Sequence, residues 1–485
     1  MTDVLLIIPH FKYKKLDASA PICPRIGVIS IAAVLEKEGF SVKVIDLPAL
    51  NLSWAELKEE IVNTSASIVG LTAVTAEFPS ALQILKLVKE INVSTVTIVG
   101  GPHVSIMPET ANTESIDYIV AGEGEITAVE LVKYILQKKG KLEEIKGIGY
   151  KKDGNIILTT PRPLIENLDS LPFPAYHLLQ IDKYRNYATL DDGRKFATIV
   201  SSRGCPFKCI FCSSSAIFGH RWRTMSPERI FSDIKILYEK FKIRHLYFHD
   251  DEFTINKDRI KKLCALLIAS KFDLKWSCLG RVNDIDEEFA RIIAKAGCNA
   301  ISLGIEVGYP EGLTLIKKNI SLEQVKNAFK LCRKYRIFTS ANFMIGFPWE
   351  NKKEILKTIK FAKTLVPYAD IFYFQTLIPY PGTEVYKTMK EENLIISNDW
   401  NDYVTHSVTG TLPVIRTRYL TNKELKSLYY YAFLWTYMNP GYLFRKIWRM
   451  KNIIHLKRNM VAGYNLFRNI IDNYINVIFR KSKNH

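Results

Sequence analysis

Three cysteines set close together constrain this chain most. They stand in the run Gly204-Cys205-Pro206-Phe207-Lys208-Cys209-Ile210-Phe211-Cys212, at C-x3-C-x2-C spacing. Soft thiolates at this separation suit an iron–sulfur cluster or zinc. A closed structural zinc site wants a fourth ligand nearby. The other five cysteines, Cys23, Cys264, Cys278, Cys298 and Cys332, are scattered singly, and His220 is the nearest substitute. Three thiolates on a [4Fe–4S] cube leave one iron without a protein ligand, open to a substrate or cofactor. A zinc knuckle or a disulfide loop is the plainer alternative.

Ahead of this loop the chain alternates strands and helices. Val4–Ile8, Val42–Asp46, Ile68–Leu71, Thr95–Val99 and Tyr118–Val120 read as strands. Ile26–Gly39, Trp54–Thr64, Ser80–Ile91 and Ile126–Gln137 carry helical spacing, the first ending at a Gly as a helix C-terminus should. Repeated strand–helix units predict an open, doubly wound Rossmann-like parallel sheet over 1–145, with ligands beyond the C-terminal strand ends. Gly70, Gly100 and Gly101 stand at those ends. Glycines there let backbone approach a bulky ligand, or simply make tight turns. Residues 146–195 read as a β-rich linker, with a hairpin turn at Lys152-Asp153-Gly154 and an extended Leu168–Pro174 in which two prolines forbid helix.

Residues 196–390 repeat the alternation. Strand signals lie at Phe196–Ser201, His245–His249, Lys275–Cys278, Ala300–Leu303, Thr339–Met344 and Ile371–Leu377, with five helices between them. Six strands with crossover helices suit a partial (β/α)6 barrel, whose chemistry would sit at the C-terminal strand ends.

The cysteine spacing, with Phe211 just before the last Cys, resembles the radical S-adenosylmethionine (SAM) enzymes. In that family the open iron chelates SAM, and one electron cleaves it to methionine and a deoxyadenosyl radical. The strand ends carry the rest of the resemblance, in order. Asp250, in Asp250-Asp251-Glu252 after the second strand, matches the family's acidic segment near the methionine moiety or substrate; a solvated N-cap is the alternative. Arg281, after the third, would pair with the SAM carboxylate or form a surface salt bridge. Glu306 matches the acid near the SAM ribose. Gly346 lies in the stretch against which adenine packs, and Ile378–Thr383 is like the final-strand signature. The first 145 residues resemble the cobalamin-binding domain of the cobalamin-dependent members. The D-x-H-x-x-G signature, whose His ligates cobalt, is absent, and His10 and His103 are expected in structural roles.

The resemblance implies a [4Fe–4S] cluster on Cys205, Cys209 and Cys212, SAM and cobalamin. It also implies an electron donor such as ferredoxin or flavodoxin. C-methylation of an unactivated carbon is the expected reaction, with oxidative ring closure as the alternative. A tRNA methylthiotransferase would need three N-terminal cysteines, and only Cys23 precedes Cys205. A cobalamin sensor has no use for the strand-end residues. The net charge is +18; from Pro440 onward ten Lys or Arg face one acid, Asp472, a balance of +9. Residues 391–485 are expected to be mostly helical. The aromatic run Tyr429-Tyr430-Tyr431, Phe433, Trp435, Tyr437, then 442–450 and 474–483, interleave apolar and basic residues as interfacial helices do. A hydrophobic substrate such as a lipid or tetrapyrrole, met at the inner face of a membrane, is expected, with a basic cap over the barrel as the alternative and no nucleic acid partner. No apolar run reaches the roughly 18 residues of a membrane span. Eight cysteines without a signal sequence suggest the cytoplasm.

Overall fold

The computed structural model describes residues 2–10, 21–186, 190, 192–404 and 412–442. Two sheets organise them. The first contains β1 (Val4–Ile8), β2 (Val42–Asp46), β3 (Ile68–Thr72), β4 (Val96–Gly100), β5 (Tyr118–Val120), β6 (Ile148–Lys152) and β7 (Asn155–Leu158). Their spatial order is β2-β1-β3-β4-β5-β6-β7. The first five are parallel, and β6 and β7 add on antiparallel. The predicted hairpin of the linker therefore extends the first sheet. Asp153 and Gly154 both have positive φ, 50° and 79°, as a two-residue turn matching strand twist requires. The order reverses between β1 and β3, the place where open α/β sheets form a ligand crevice.

A two-stranded ladder, β9 (Ser202–Arg203) with β10 (Arg223–Thr224), brackets the cysteine loop. The second large sheet holds β8 (Phe196–Ile199), β11 (His245–Phe248), β12 (Lys275–Gly280), β13 (Cys298–Glu306), β14 (Phe338–Ile345) and β15 (Ile371–Thr376). It is wholly parallel, in order β15-β14-β13-β12-β11-β8. Its edges β8 and β15 do not pair, so it is the open partial barrel that the sequence predicts. The return helices start on side-chain caps that the sequence supplies: Ser226, Asn256, Asp286, Ser321 and Asn351 each accept a first-turn N–H.

The first sheet keeps one core on one face, around Val69, Ile84 and Leu85. On its other face Ile29, Ile68 and Leu131 join a core continuous with the barrel's Phe248, Trp276 and Phe343. Residues between the sheets are pinned from both sides. The Thr198 hydroxyl donates to the Pro24 carbonyl at 2.8 Å, and the Tyr184 hydroxyl to Asp46 at 2.7 Å.

The helix Asn422–Tyr437 closes the β15 edge of the barrel. Its aromatic run is mainly core: Tyr429, Tyr430 and Phe433 are buried. The Tyr437 hydroxyl donates to the Phe372 carbonyl at 2.8 Å and accepts from the Phe372 amide at 3.1 Å. Of its large apolar side chains Tyr431 and Trp435 stay exposed, as does Met438 just past its end. The segments 443–450 and 474–483, predicted as interfacial helices, lie outside the described residues. No helix of the described residues is long and apolar enough to cross a membrane.

Candidate active site

The cysteine loop springs from Gly204, which has φ +80° and where a Cβ would stand 2.1 Å from the Arg221 carbonyl oxygen. Only glycine fits there. Backbone bonds hold the loop: the Ile210 amide donates to the Ile316 carbonyl at 3.3 Å, and the Val385 amide to the Ile210 carbonyl at 3.1 Å. Cys205, Cys209 and Cys212 are free and partly exposed. Burial pushes the Cys205 thiol up to about 12 and raises that of Cys212. A bound positive charge would be needed to make them thiolates. No three His, Cys, Asp or Glu side chains among the described residues converge on a point fit for one metal ion. His220, the substitute ligand of the zinc alternative, sets its Nδ1 3.2 Å from the Phe207 carbonyl instead. Three sulfur donors without a fourth, not drawn to one point, fit an iron–sulfur cluster better than a zinc ion.

Two cations back this loop. Arg281 is buried, with its guanidinium carbon 3.6 Å from the Phe207 ring centroid. It donates to the Lys318 carbonyl, and its Nε has no partner. The surface salt bridge considered for Arg281 does not form; its charge is stored under the loop. Lys318 sends its Nζ to Glu306 Oε1 at 2.9 Å and lies 5.8 Å from the Phe211 ring centroid. Burial works against the ammonium, but Glu306 and the Cys209 sulfur outweigh it and raise its pKa, so it stays charged. Glu306 sits where the β13–β14 register shifts, with φ +72°, a left-handed conformation costing a non-glycine about 1–3 kcal/mol. Gly304 leaves room for the pair: a Cβ there would lie 2.5 Å from Glu306 Oε1. Lys318 carried no motif signal. Its only sequence trace is a Lys-Lys pair in a loop twelve residues past Glu306.

The fifth strand end is built by another residue without an assigned role. Glu350 Oε2 accepts the amides of Gly346 at 2.7 Å and Phe347 at 3.0 Å, which holds Gly346 at φ +99°. Glu350 also accepts the Tyr309 hydroxyl at 3.2 Å, and burial pushes its carboxyl up to about 7. Phe211 meets Phe347 edge-on at 6.0 Å, joining this turn to the cysteine loop.

Asp250 does not face a ligand. Its carboxylate takes the Ser201 amide at 2.7 Å and the Ser201 and Ser202 hydroxyls at 2.6 Å each, with Arg259 at 3.9 Å. Its lone pairs are spent on holding the β8–β9 corner, so the sequence expectation is corrected to a structural role. Asp251 also works locally, accepting the Gly204 amide at 3.2 Å and the Ser214 hydroxyl at 2.8 Å. Glu252 is buried beside Thr254, and burial pushes its carboxyl up to about 7.

The glycines of the first sheet need a similar correction. A Cβ on Gly70 would meet a Leu6 methyl at 2.9 Å, on Gly100 the Val120 carbonyl at 3.3 Å, and on Gly101 the Thr72 hydroxyl at 2.6 Å. Neighbouring protein fills their space, and packing explains them. Gly122, after β5, has φ +79° and nothing within 4 Å of a Cβ, so it is the strand-end glycine with room beside it. His103 is buried, with Nδ1 3.4 Å from the Thr75 hydroxyl and Nε2 3.2 Å from that of Thr110. Trp400 packs edge-on against its ring at 5.2 Å. The expected structural role holds.

A buried charge network joins the two sheets beside the cysteine loop. Glu123, just past Gly122, takes Arg203 at 2.8 Å, Arg223 at 2.8 Å and the Ile165 amide at 2.7 Å. Glu125 pairs with Arg203 at 2.5 Å. Arg203 is two residues from Cys205, so the end of β5 in the first sheet is bolted to the entry of the loop.

Residues 199–362 match the radical SAM superfamily, and residues 16–132 match the B12 binding domain. An uncharacterized methyltransferase of Pyrococcus horikoshii is 35% identical over 455 residues, covering 93% of this chain and 96% of that protein. An anaerobic magnesium-protoporphyrin IX monomethyl ester cyclase of Rubrivivax gelatinosus is 29% identical, over 79% of this chain and 69% of its own. The fold is shared with the cobalamin-dependent SAM radical enzyme OxsB, solved with aqua-cobalamin and SAM, at a TM-score of 0.73 and 18% identity, over 98% of this chain and 72% of that one. With a cysteine loop on an open parallel barrel and a β1–β5 sheet bolted to its entry, the chain belongs to the cobalamin-dependent radical SAM enzymes.

Proposed function

We propose that Cys205, Cys209 and Cys212 hold a [4Fe–4S] cluster whose open iron binds SAM, and that the β1–β5 crevice holds cobalamin without a histidine ligand. Bound there, these groups would supply a deoxyadenosyl radical and a methyl group, for C-methylation of an unactivated carbon. The observation that carries the reading is the cation shelf under the loop: Arg281 and Lys318 lie against Phe207 and Phe211 of the cysteine loop, with Lys318 paired to Glu306 at the neighbouring β13 end. Lys318 and the unpaired Nε of Arg281 would meet the SAM carboxylate, and Glu306 the ribose hydroxyls. Glu350 holds the Gly346 turn in the shape against which adenine packs.

The substrate is read as hydrophobic. The Rubrivivax relative is named for a tetrapyrrole ester, and Tyr431 and Trp435 on the helix Asn422–Tyr437, with Met438 at its end, stand exposed as an apolar edge for meeting such a substrate at a membrane's inner face. Ring closure is the second reading, favoured by that same relative. The product separates the two: a gained methyl group supports methylation, a loss of hydrogen supports cyclisation. The cluster assignment is tested by replacing each cysteine with Ala after anaerobic reconstitution. Each variant should lose SAM-binding iron and deoxyadenosine production. A triple Ala variant that kept both would sink it.

A further inference from the structure

A groove runs along the outer face of the helix Lys352–Thr364. One part, of about 650 Å³, is lined by Lys352, Lys353, Lys357, Lys360 and Tyr419. The next part, of about 350 Å³, shares Lys357 and Lys360 and adds Tyr309 and Glu311. The four lysines are all exposed. The acids at hand are Glu311 and Glu354, the latter 4.0 Å from Lys357, so the groove stays basic.

From its floor a run of aromatic rings leads to the cysteine loop. Lys357 Nζ lies 5.5 Å from the ring centroid of Tyr309, which is itself buried. The Tyr309 hydroxyl accepts the Trp349 indole N–H at 3.1 Å. Trp349 stacks on Phe347 at 5.2 Å and 16°, and Phe347 meets Phe211 at 6.0 Å. Phe211 immediately precedes Cys212. A positive surface and the cluster loop are thus joined by contacting side chains.

We propose that this groove is where the one-electron donor docks, and that the donor is an acidic flavodoxin-type protein. The inference rests on the cluster assignment above. An FMN hydroquinone gives up one electron and becomes the semiquinone, and the cluster gains that electron; no group is transferred and no aromatic ring of the run changes oxidation state. The rings fill the gap across which the electron tunnels with closely packed side chains. A concave basic surface suits an acidic protein, and steering by its field would raise the encounter rate.

The test uses the reconstituted full chain and its Lys357→Glu/Lys360→Glu double variant. Calorimetric titration with an oxidised acidic flavodoxin reads docking directly. Deoxyadenosine formation is then driven either by the reduced flavodoxin or by dithionite, which needs no docking. Reversing two charges at the contact should weaken flavodoxin binding about 10- to 100-fold and flatten its salt dependence. Flavodoxin-driven formation at low donor should fall in step, with the dithionite-driven rate unchanged. Unchanged flavodoxin binding overturns the proposal. If the variant instead loses only its recovery on phosphatidylglycerol vesicles, the groove is a membrane contact and the proposal falls. A wild-type protein that binds flavodoxin but cleaves no SAM even with dithionite fails the cluster assignment, not the docking site. Trp349→Leu should keep flavodoxin affinity but lower the ratio of flavodoxin-driven to dithionite-driven rate at saturating donor; an unchanged ratio removes the aromatic run.

Discussion

Replacing Glu123 with Ala probes the bolt between the sheets. Its carboxylate serves Arg203, Arg223 and the Ile165 amide. Arg203 would keep Glu125. Arg223 would not be compensated: its side chain is 5% exposed, Glu123 is its carboxylate partner, and its Nε and Nη2 already lack partners. Stranding one buried charge costs about 3–5 kcal/mol. For a unit of 150–250 residues that is roughly 6–20 °C in Tm, taking about 2–4 °C per kcal/mol. Differential scanning calorimetry of the apoprotein should show this loss in its first transition, with Glu123→Gln falling between the variant and wild type. Burial raises the Glu123 carboxyl, but the hydrogen bonds from Arg223 and Arg203 outweigh it and hold the pKa below the ordinary range. A carboxyl with a depressed folded pKa stabilises fully above its unfolded value, about 4.3, and loses that as pH falls through the folded value. The gap between wild type and variant should therefore be flat from about pH 6 to 8 and narrow below about pH 4. A Tm change within about 2 °C, or a gap that widens on acidification, would refute the reasoning.

Other perturbations separate structural from binding residues. Asp250→Asn should lower iron retention and Tm by loosening the β8–β9 corner, yet the iron-loaded fraction should bind SAM as wild type does; isothermal titration of SAM checks this, and a selective loss of SAM affinity would restore a ligand role to Asp250. Lys318→Met keeps the stem and deletes a charge-assisted bond of about 1.5–3 kcal/mol, so SAM affinity should fall about 10- to 100-fold; unchanged affinity removes Lys318 from the SAM site. Cob(II)alamin bound to the protein should give an electron paramagnetic resonance spectrum without axial-nitrogen splitting, and His103→Phe should leave that spectrum alone. Splitting that vanishes in the variant would make His103 a ligand after all.

Much of this protein is local and therefore readable from the chain. Strand and helix periods, the helix caps Ser226 to Asn351, the Lys152–Asn155 hairpin and the cysteine spacing each depend on residues a few positions apart. So the longer strands and helices, the parallel runs of both sheets and the three thiols were legible, whereas short elements such as the β9–β10 ladder and the helix Glu384–Glu391 were not. What the sequence could not decide is which side chains meet across tens or hundreds of residues. Asp250 looked like a ligand because it ends a barrel strand, but the backbone path brings Ser201 and Ser202 to it, 49 and 48 residues away. Gly70 looked like ligand space until a Leu6 methyl of the neighbouring strand filled it. The aromatic run at 429–437 carries the composition of an interfacial helix, yet Tyr429, Tyr430 and Phe433 are buried and Tyr437 bonds to β15, because composition does not say which face a helix turns inward. Lys318, Glu350 and the Glu123–Arg203–Arg223 network had no motif to announce them. Their roles arise only where separate strand ends converge, since buried charge is tolerated only beside a partner that the fold supplies.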